Sequence, residues 1–347
     1  MLIETSLPER DLRQIPGLAR QAEALGFDGI SQPELKHDPL FTLALAAPAT
    51  ERAYLASSVL IAFPRSPMVV AYQSHDLQAL SGGRLVVGLG TQVKGHIQRR
   101  FSTVWDSPGP RLREYVLSLR AIWDTWQNGT PLDFQGDFYN FTLMTPEFSP
   151  EAHAYPPPRV EIAAVNNYNA RLAGEVCDGL RVHPMTTPGY LRDVLWPQVR
   201  RGAKRSGRSL DNFRMIGGGF IATGPDAESI EHARENARYR IAFYASTRTY
   251  LPVLEHHGWQ DINDKLRRLI AESRWDDLPS VIPDEILDGF CISGSYQEIP
   301  GLVKERLGGL VDCLSLSLPA DPTNPSDDYR EFLARMREIP GVREKQS

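Results

Sequence analysis

Leu80-Ser-Gly-Gly-Arg-Leu-Val-Val-Gly-Leu-Gly-Thr91 packs a helix end, a tight turn and a buried strand into one short stretch. Ser81-Gly82-Gly83 supplies the left-handed stop that ends a helix. Leu85-Val86-Val87 is an unbroken apolar run, as a parallel strand covered on both faces requires. Gly88 and Gly90 then thin the carboxyl end of that strand, where a flat ligand can approach the backbone.

Outward from this stretch, strand and helix signals alternate with short connections, which predicts a parallel sheet. Strands are expected at residues 2–5, 29–32, 54–61, 85–89, 160–164, 180–182, 213–222 and 313–318. Helical spacing falls between them, at 12–25, 40–49, 68–80, 111–126, 170–177, from Thr187-Pro188 to about Ser206, and at 227–244, 297–307 and 329–336. In the 111–126 helix, Leu112, Tyr115, Val116, Leu119, Ile122 and Trp123 share one face and read as core. Eight strands alternating with helices predict a (β/α)8 TIM barrel, a single domain over residues 1–347. A charge-rich helical insertion is expected late in the chain, at about 244–288, and fraying at 343–347.

Composition narrows the function. Of 347 residues, 41% are apolar and 23% charged, with a net charge of −5, an ordinary soluble balance. No basic run interleaves with aromatic residues, so nucleic acid is not expected as a main ligand. The first residues lack a basic and then apolar pattern, and no stretch nears the roughly 18 apolar residues of a membrane span. Cys177, Cys291 and Cys313 are odd in number and without motif, which fits a reducing cytoplasm and excludes an obvious metal site.

Ala22-Glu-Ala-Leu-Gly-Phe-Asp-Gly29, Ala56-Ser-Ser-Val-Leu-Ile-Ala-Phe-Pro-Arg-Ser-Pro67 and residues 81–90 together resemble the bacterial luciferase-like family. Its members are flavin- or deazaflavin-dependent TIM-barrel oxidoreductases. Gly90-Thr-Gln-Val-Lys-Gly-His-Ile97 and Gly136-Asp-Phe-Tyr139 resemble the coenzyme F420-dependent branch. The resemblance spans residues 12 to about 319. It implies hydride transfer between the deazaflavin ring and a small carbonyl, imine or activated alkene, with one proton supplied or removed by the protein. It also implies a homodimer, formed through helices near the early strands. An FMN-dependent monooxygenase is the alternative that the same fold admits, and a flavin-binding relative without turnover is a third reading.

Barrel chemistry sits past the carboxyl ends of the strands, so polar residues there are the candidates. After strand 2, many deazaflavin relatives carry Asp-His, whereas this chain has Glu34 and Leu35, with His37 further on. Glu34, His37 and His96 are therefore the candidate acids or bases, imidazole titrating near neutrality. After strand 3, the resemblance places a non-prolyl cis bulge between Ser58 and Val59, pressed against the coenzyme ring. After strand 4 come Thr91, Gln92, Val93 and Lys94: Gln92 can donate to a ring carbonyl, and Lys94 can face an anionic ring or tail. Ala164, Val165 and Asn166 lead into a helix whose free amides can meet a phosphate. His183, Thr186 and Thr187 lead into the next, where Thr187 can cap the helix, cradle an anion, or both. The ends of strands 2 and 4 lie about 10 Å apart at ~4.8 Å per neighbour, so Glu34 is expected to reach and orient His96. No dinucleotide-binding glycine pattern, nucleophile elbow or His-Glu-x-x-His pair occurs.

Overall fold

Eight parallel strands form the centre: β1 (Leu2–Thr5), β2 (Gly29–Gln32), β3 (Tyr54–Ser57), β4 (Leu85–Gly90), β5 (Arg159–Ala164), β6 (Gly179–Val182), β7 (Arg214–Ile216) and β8 (Cys313–Ser315). Each pairs with its neighbours in chain order, β8 pairs back to β1, and β3 pairs with β4, so the sheet closes as a (β/α)8 barrel. This computed structural model describes residues 1–8 and 11–342; the fraying expected at 343–347 lies outside the described residues.

Side-chain chemistry explains the closure. All six residues of β4 are buried, as an apolar run between helices and barrel lumen must be. At Gly88 the absent side chain is required, since a Cβ would lie 2.0 Å from the Ser57 carbonyl oxygen. Ser57 Oγ fills the gap, donating to the Gly88 carbonyl and accepting its N–H. The lumen is charged in one layer. Arg181 of β6 binds Glu4 of β1 at 2.9 Å and contacts Glu161 of β5 at 2.7 Å, and the Tyr54 hydroxyl donates to Glu4 at 2.8 Å. Two buried carboxylates thus share one guanidinium, and burial, offset in part by Arg181, pushes the Glu161 carboxyl above its ordinary range.

Two expected strands are divided. The 54–61 strand breaks at a cis peptide bond between Ser58 and Val59 and resumes at Leu60–Ile61. The 213–222 strand is two elements. β7 ends at Ile216, and Gly217-Gly218-Gly219, with φ of +101° and +97° at its outer glycines, turns the chain out of the barrel. Phe220–Ala222 then pairs in parallel with Cys291–Ser293, a strand with no counterpart in the sequence reading, in a separate two-stranded sheet. Between those strands run the helix Ala227–Ala245 and the helices Leu251–His256, Asp261–Ala271 and Asp284–Phe290. Arg238 and Arg234 of the first helix hold the last through Asp284 and Asp288, at 2.6 and 2.8 Å. On the helix Pro108–Asn128 the six-residue apolar face is buried as expected.

Candidate active site

The βα loops at the carboxyl ends of the strands form a mouth of polar side chains. In the loop after β2, Glu34 is buried: its Oε2 accepts the Ile61 N–H at 2.7 Å, and both of its oxygens accept from Arg65 Nη1. The other Arg65 terminal nitrogen binds Asp38 at 2.8 Å, and Asp38 caps the helix Pro39–Ala46 through the Leu40 N–H. The loops after β2 and β3 are thereby locked together. His37 is exposed, and His96 is exposed on the short helix Lys94–Arg99, which Ile97 anchors. Among the described residues no ion pair joins Glu34 to His96. The convergence expected of them is replaced by Glu34–Arg65–Asp38, because a guanidinium offers a buried carboxylate several charge-assisted donors in fixed geometry, whereas His96 is exposed on another loop.

Around the middle of the mouth, the Ser58–Val59 cis peptide lies where the resemblance implied it. Val59 leans over the thinned end of β4, where a Cβ on Gly90 would meet Val59 Cγ2 at 2.5 Å. Thr91 Oγ1 donates to the Gln92 carbonyl. Gln92 adopts a left-handed backbone (φ +57°), and its side-chain oxygen accepts the Val93 N–H, which leaves its amide hydrogens as donors. Lys94 is exposed beside it.

On the far side, Ala164 is buried and Val165 half-buried, while Asn166 caps the helix Asn167–Val176 through the Asn169 N–H. Thr187 caps the helical run from Pro188 to Ser206 by accepting the Tyr190 N–H. The same oxygen lies 2.7 Å from His257 Nε2 on the insertion, within hydrogen-bond distance. Thr186 is buried, and its Oγ1 has no hydrogen-bond partner among the described residues. His183 Nδ1 accepts the Met185 N–H at 3.0 Å, Nε2 lies 3.1 Å from the Tyr250 hydroxyl, and Tyr244 packs edge-on at 4.5 Å. Burial first, then the positive charge of Arg240, lowers the His183 pKa to about 4.

Arg65, Tyr250 and His257 were not singled out from the sequence. Arg65 stands in the quoted Phe63-Pro-Arg-Ser-Pro67, but its partners are 27 and 31 residues away and meet it only when the barrel closes. Tyr250 and His257 lie in the insertion, where no strand end marks a position as facing the mouth. Among the described residues, no cluster of three or more His, Cys, Asp or Glu is placed to hold a metal ion, and no helix is long and apolar enough to cross a membrane.

The luciferase-like monooxygenase family matches residues 3–313, and the chain belongs to that family. It is 44% identical over 301 residues to an uncharacterized protein of Mycobacterium tuberculosis, covering 85% of this chain and 88% of that protein. It is 25% identical over 303 residues to a putative coenzyme F420-dependent oxidoreductase of the same organism, covering 81% and 84%. Among solved structures, the coenzyme F420-dependent tetrahydromethanopterin reductase from Methanopyrus kandleri superposes with a TM-score of 0.76 at 18% identity, over 98% of each chain. The protein is thus a luciferase-like barrel of a family whose members use flavin or deazaflavin coenzymes. The residues at the mouth suit such a group: a buried hydroxyl at Thr186 with no partner among the described residues, amide donors at Gln92, and an exposed cation at Lys94 match a planar, carbonyl-bearing ring with an anionic tail.

Proposed function

We propose that this chain is a coenzyme F420-dependent oxidoreductase that transfers a hydride between the deazaflavin ring and a small organic substrate. The observation that carries this reading is the exposed Lys94 beside Gln92 at the end of β4, in a chain similar over most of its length to a putative F420-dependent enzyme. Lys94 supplies a cation for the anionic deazaflavin ring or its glutamate tail, where FMN asks for less charge. Ser58, Val59, Thr91, Gln92 and Val93 would line the ring, and Ala164, Val165, Asn166, Thr186 and Thr187 would meet the phosphate with hydroxyls and helix-end amides. When bound, the coenzyme supplies the hydride. The protein's part is to fix the substrate carbon against it, exclude water and hold one proton.

Glu34 serves this reading as a positioning residue that fixes Arg65 and the first two loops. The exposed His37 and His96 stand at the rim. The chain acts as one barrel domain whose insertion, at about 244–288, walls the mouth beside β6. Three free buried thiols suit a reducing cytoplasm, and apolar side chains on the helices after β2 and β3 suit a homodimer. An FMN-dependent monooxygenase is the second reading, favoured by the description of the family itself. Equilibrium titration of the purified protein with F420 and with FMN separates the two. F420 is expected to bind at least about tenfold more tightly, with Lys94→Ala narrowing the gap; tighter binding of FMN supports the monooxygenase. Binding of either coenzyme without transfer to any substrate supports a relative that has lost turnover.

A further inference from the structure

His183 and Tyr250 constrain one another's protons. Met185 donates its N–H to His183 Nδ1, so that nitrogen is bare. A ring with both nitrogens bare would be an anion, so Nε2 carries the hydrogen and donates it to Tyr250 Oη, 3.1 Å away. The phenol is therefore an acceptor toward His183, and its own O–H is left for a different acceptor. His183 directly follows β6, at the face where barrel chemistry sits, and Tyr250 reaches it from the insertion. Tyr244 packs against both rings, at 4.5 and 5.5 Å, and holds them side by side. The acid candidates elsewhere are poorly suited: the Glu34 oxygens are occupied by Arg65 and Ile61, and His37 and His96 stand in solvent.

We infer that Tyr250 is the proton donor to the reacting oxygen of a neutral carbonyl substrate, with His183 as the residue that positions it. This rests on the hydride-transfer reading above. A C–H bond forms at the carbonyl carbon as the C–H bond that carried the hydride in the reduced deazaflavin breaks, so the carbonyl is reduced and the coenzyme left oxidised. The C=O π bond breaks, its electron pair moves to oxygen, and the Tyr250 O–H breaks as its proton passes to that oxygen. The product is the alcohol. The phenolate keeps the His183 Nε2–H bond and regains a proton from water. Burial and the neighbouring Tyr244 raise the Tyr250 pKa, so the phenol enters each turnover protonated.

The test uses cyclohexanone labelled with carbon-13 at the carbonyl, added to protein loaded with oxidised F420 and, in parallel, to protein without coenzyme. Oxidised coenzyme cannot deliver hydride, so the complex persists and the carbonyl resonance reports its hydrogen bond. A downfield displacement is expected in the wild type, reduced at least twofold in Tyr250→Phe and His183→Ala. His183→Gln is expected to restore it, since the Gln amide N–H can replace Nε2–H. Tyr250→Phe keeps the ring, and F420 affinity within about threefold of wild type verifies its fold. With reduced F420, its turnover of cyclohexanone should fall by about 10²–10⁴-fold. No displacement in the wild type, or one that survives in Tyr250→Phe while F420 binds, overturns the donor assignment alone. A Tyr250-dependent displacement in protein that binds no F420 instead overturns the hydride-transfer reading and leaves Tyr250 as a ligand donor.

Discussion

Arg65 holds Glu34 with one terminal nitrogen at 2.9 Å and Asp38 with the other at 2.8 Å, so a single guanidinium joins the loop after β3 to two points of the loop after β2. The Glu34 side chain is 7% exposed and that of Arg65 16%, which makes this a largely desolvated pair. Removing one partner of such a pair strands the other charge, at a cost of about 3–5 kcal/mol. Arg65→Met is expected to lower unfolding free energy by about 3 kcal/mol in urea titrations. Adding Glu34→Gln should recover part of that loss. A loss below about 1 kcal/mol for Arg65→Met would mean that the loops are held by something else.

The lumen triad gives a pH prediction. The Glu161 carboxyl titrates above its ordinary value of 4.5 in the folded protein. The folded state therefore retains a proton that the unfolded chain releases. The stability this contributes is complete below pH 4.5 and is lost as pH rises through the folded value. Glu161→Gln stays neutral throughout, so its stability relative to wild type should improve between pH 4.5 and pH 7.5. Urea titrations at both values measure this. A difference that is constant or shrinks would show that Arg181 neutralises both carboxylates fully.

His183 works in the opposite sense. With its pKa lowered to about 4, against 6.5 for an ordinary imidazole, the unfolded chain binds the proton first as pH falls. Its contribution to stability is present above pH 6.5 and disappears as pH falls toward 4, at most about 3 kcal/mol. His257, also lowered by burial, adds a change of the same sign. His183→Gln should flatten the acid limb of the stability curve. In the wild type, the His183 ring followed by NMR should stay neutral down to about pH 4; titration near 6.5 would contradict the proposed tautomer.

Phe41 and Leu45 on the helix after β2, and Val69 and Leu80 on the helix Pro67–Leu80, leave large apolar side chains exposed, Phe41 at 66%. Apolar groups gathered on neighbouring helices suit an isologous contact between two copies. Light scattering should report a dimer at working concentration, and Phe41→Asp with Val69→Asp a monomer of unchanged far-UV circular dichroism. A monomeric wild type would remove the dimer from the account.

The barrel was readable because its signals are local. Leu85-Val86-Val87 carries burial in its composition, and Gly26 closes its helix at φ +97°. Asn166 and Thr187 cap helices as their residue types foretell. What escaped depends on contacts between distant segments. Cys291–Ser293 is three residues long and is a strand only because Phe220–Ala222 leaves the barrel to pair with it. The site divided in the same way. The loops that carry the polar residues follow from strand order, but the choice of Arg65 over His96 as the partner of Glu34 is made by side chains that meet only in three dimensions. Tyr250 lies 67 residues from His183, in an insertion where no strand end marks which side chains face the mouth.

The central claim, hydride transfer from a deazaflavin without dioxygen, is tested most directly by single-turnover kinetics. Protein loaded with reduced F420 is mixed with a panel of small ketones and aldehydes, with and without dioxygen, while coenzyme reoxidation and alcohol formation are followed together. The account predicts reoxidation that requires a carbonyl compound, yields one alcohol per coenzyme and runs at the same rate in the absence of dioxygen. Substrate oxidation that proceeds only with reduced FMN and consumes one dioxygen per turnover would contradict it.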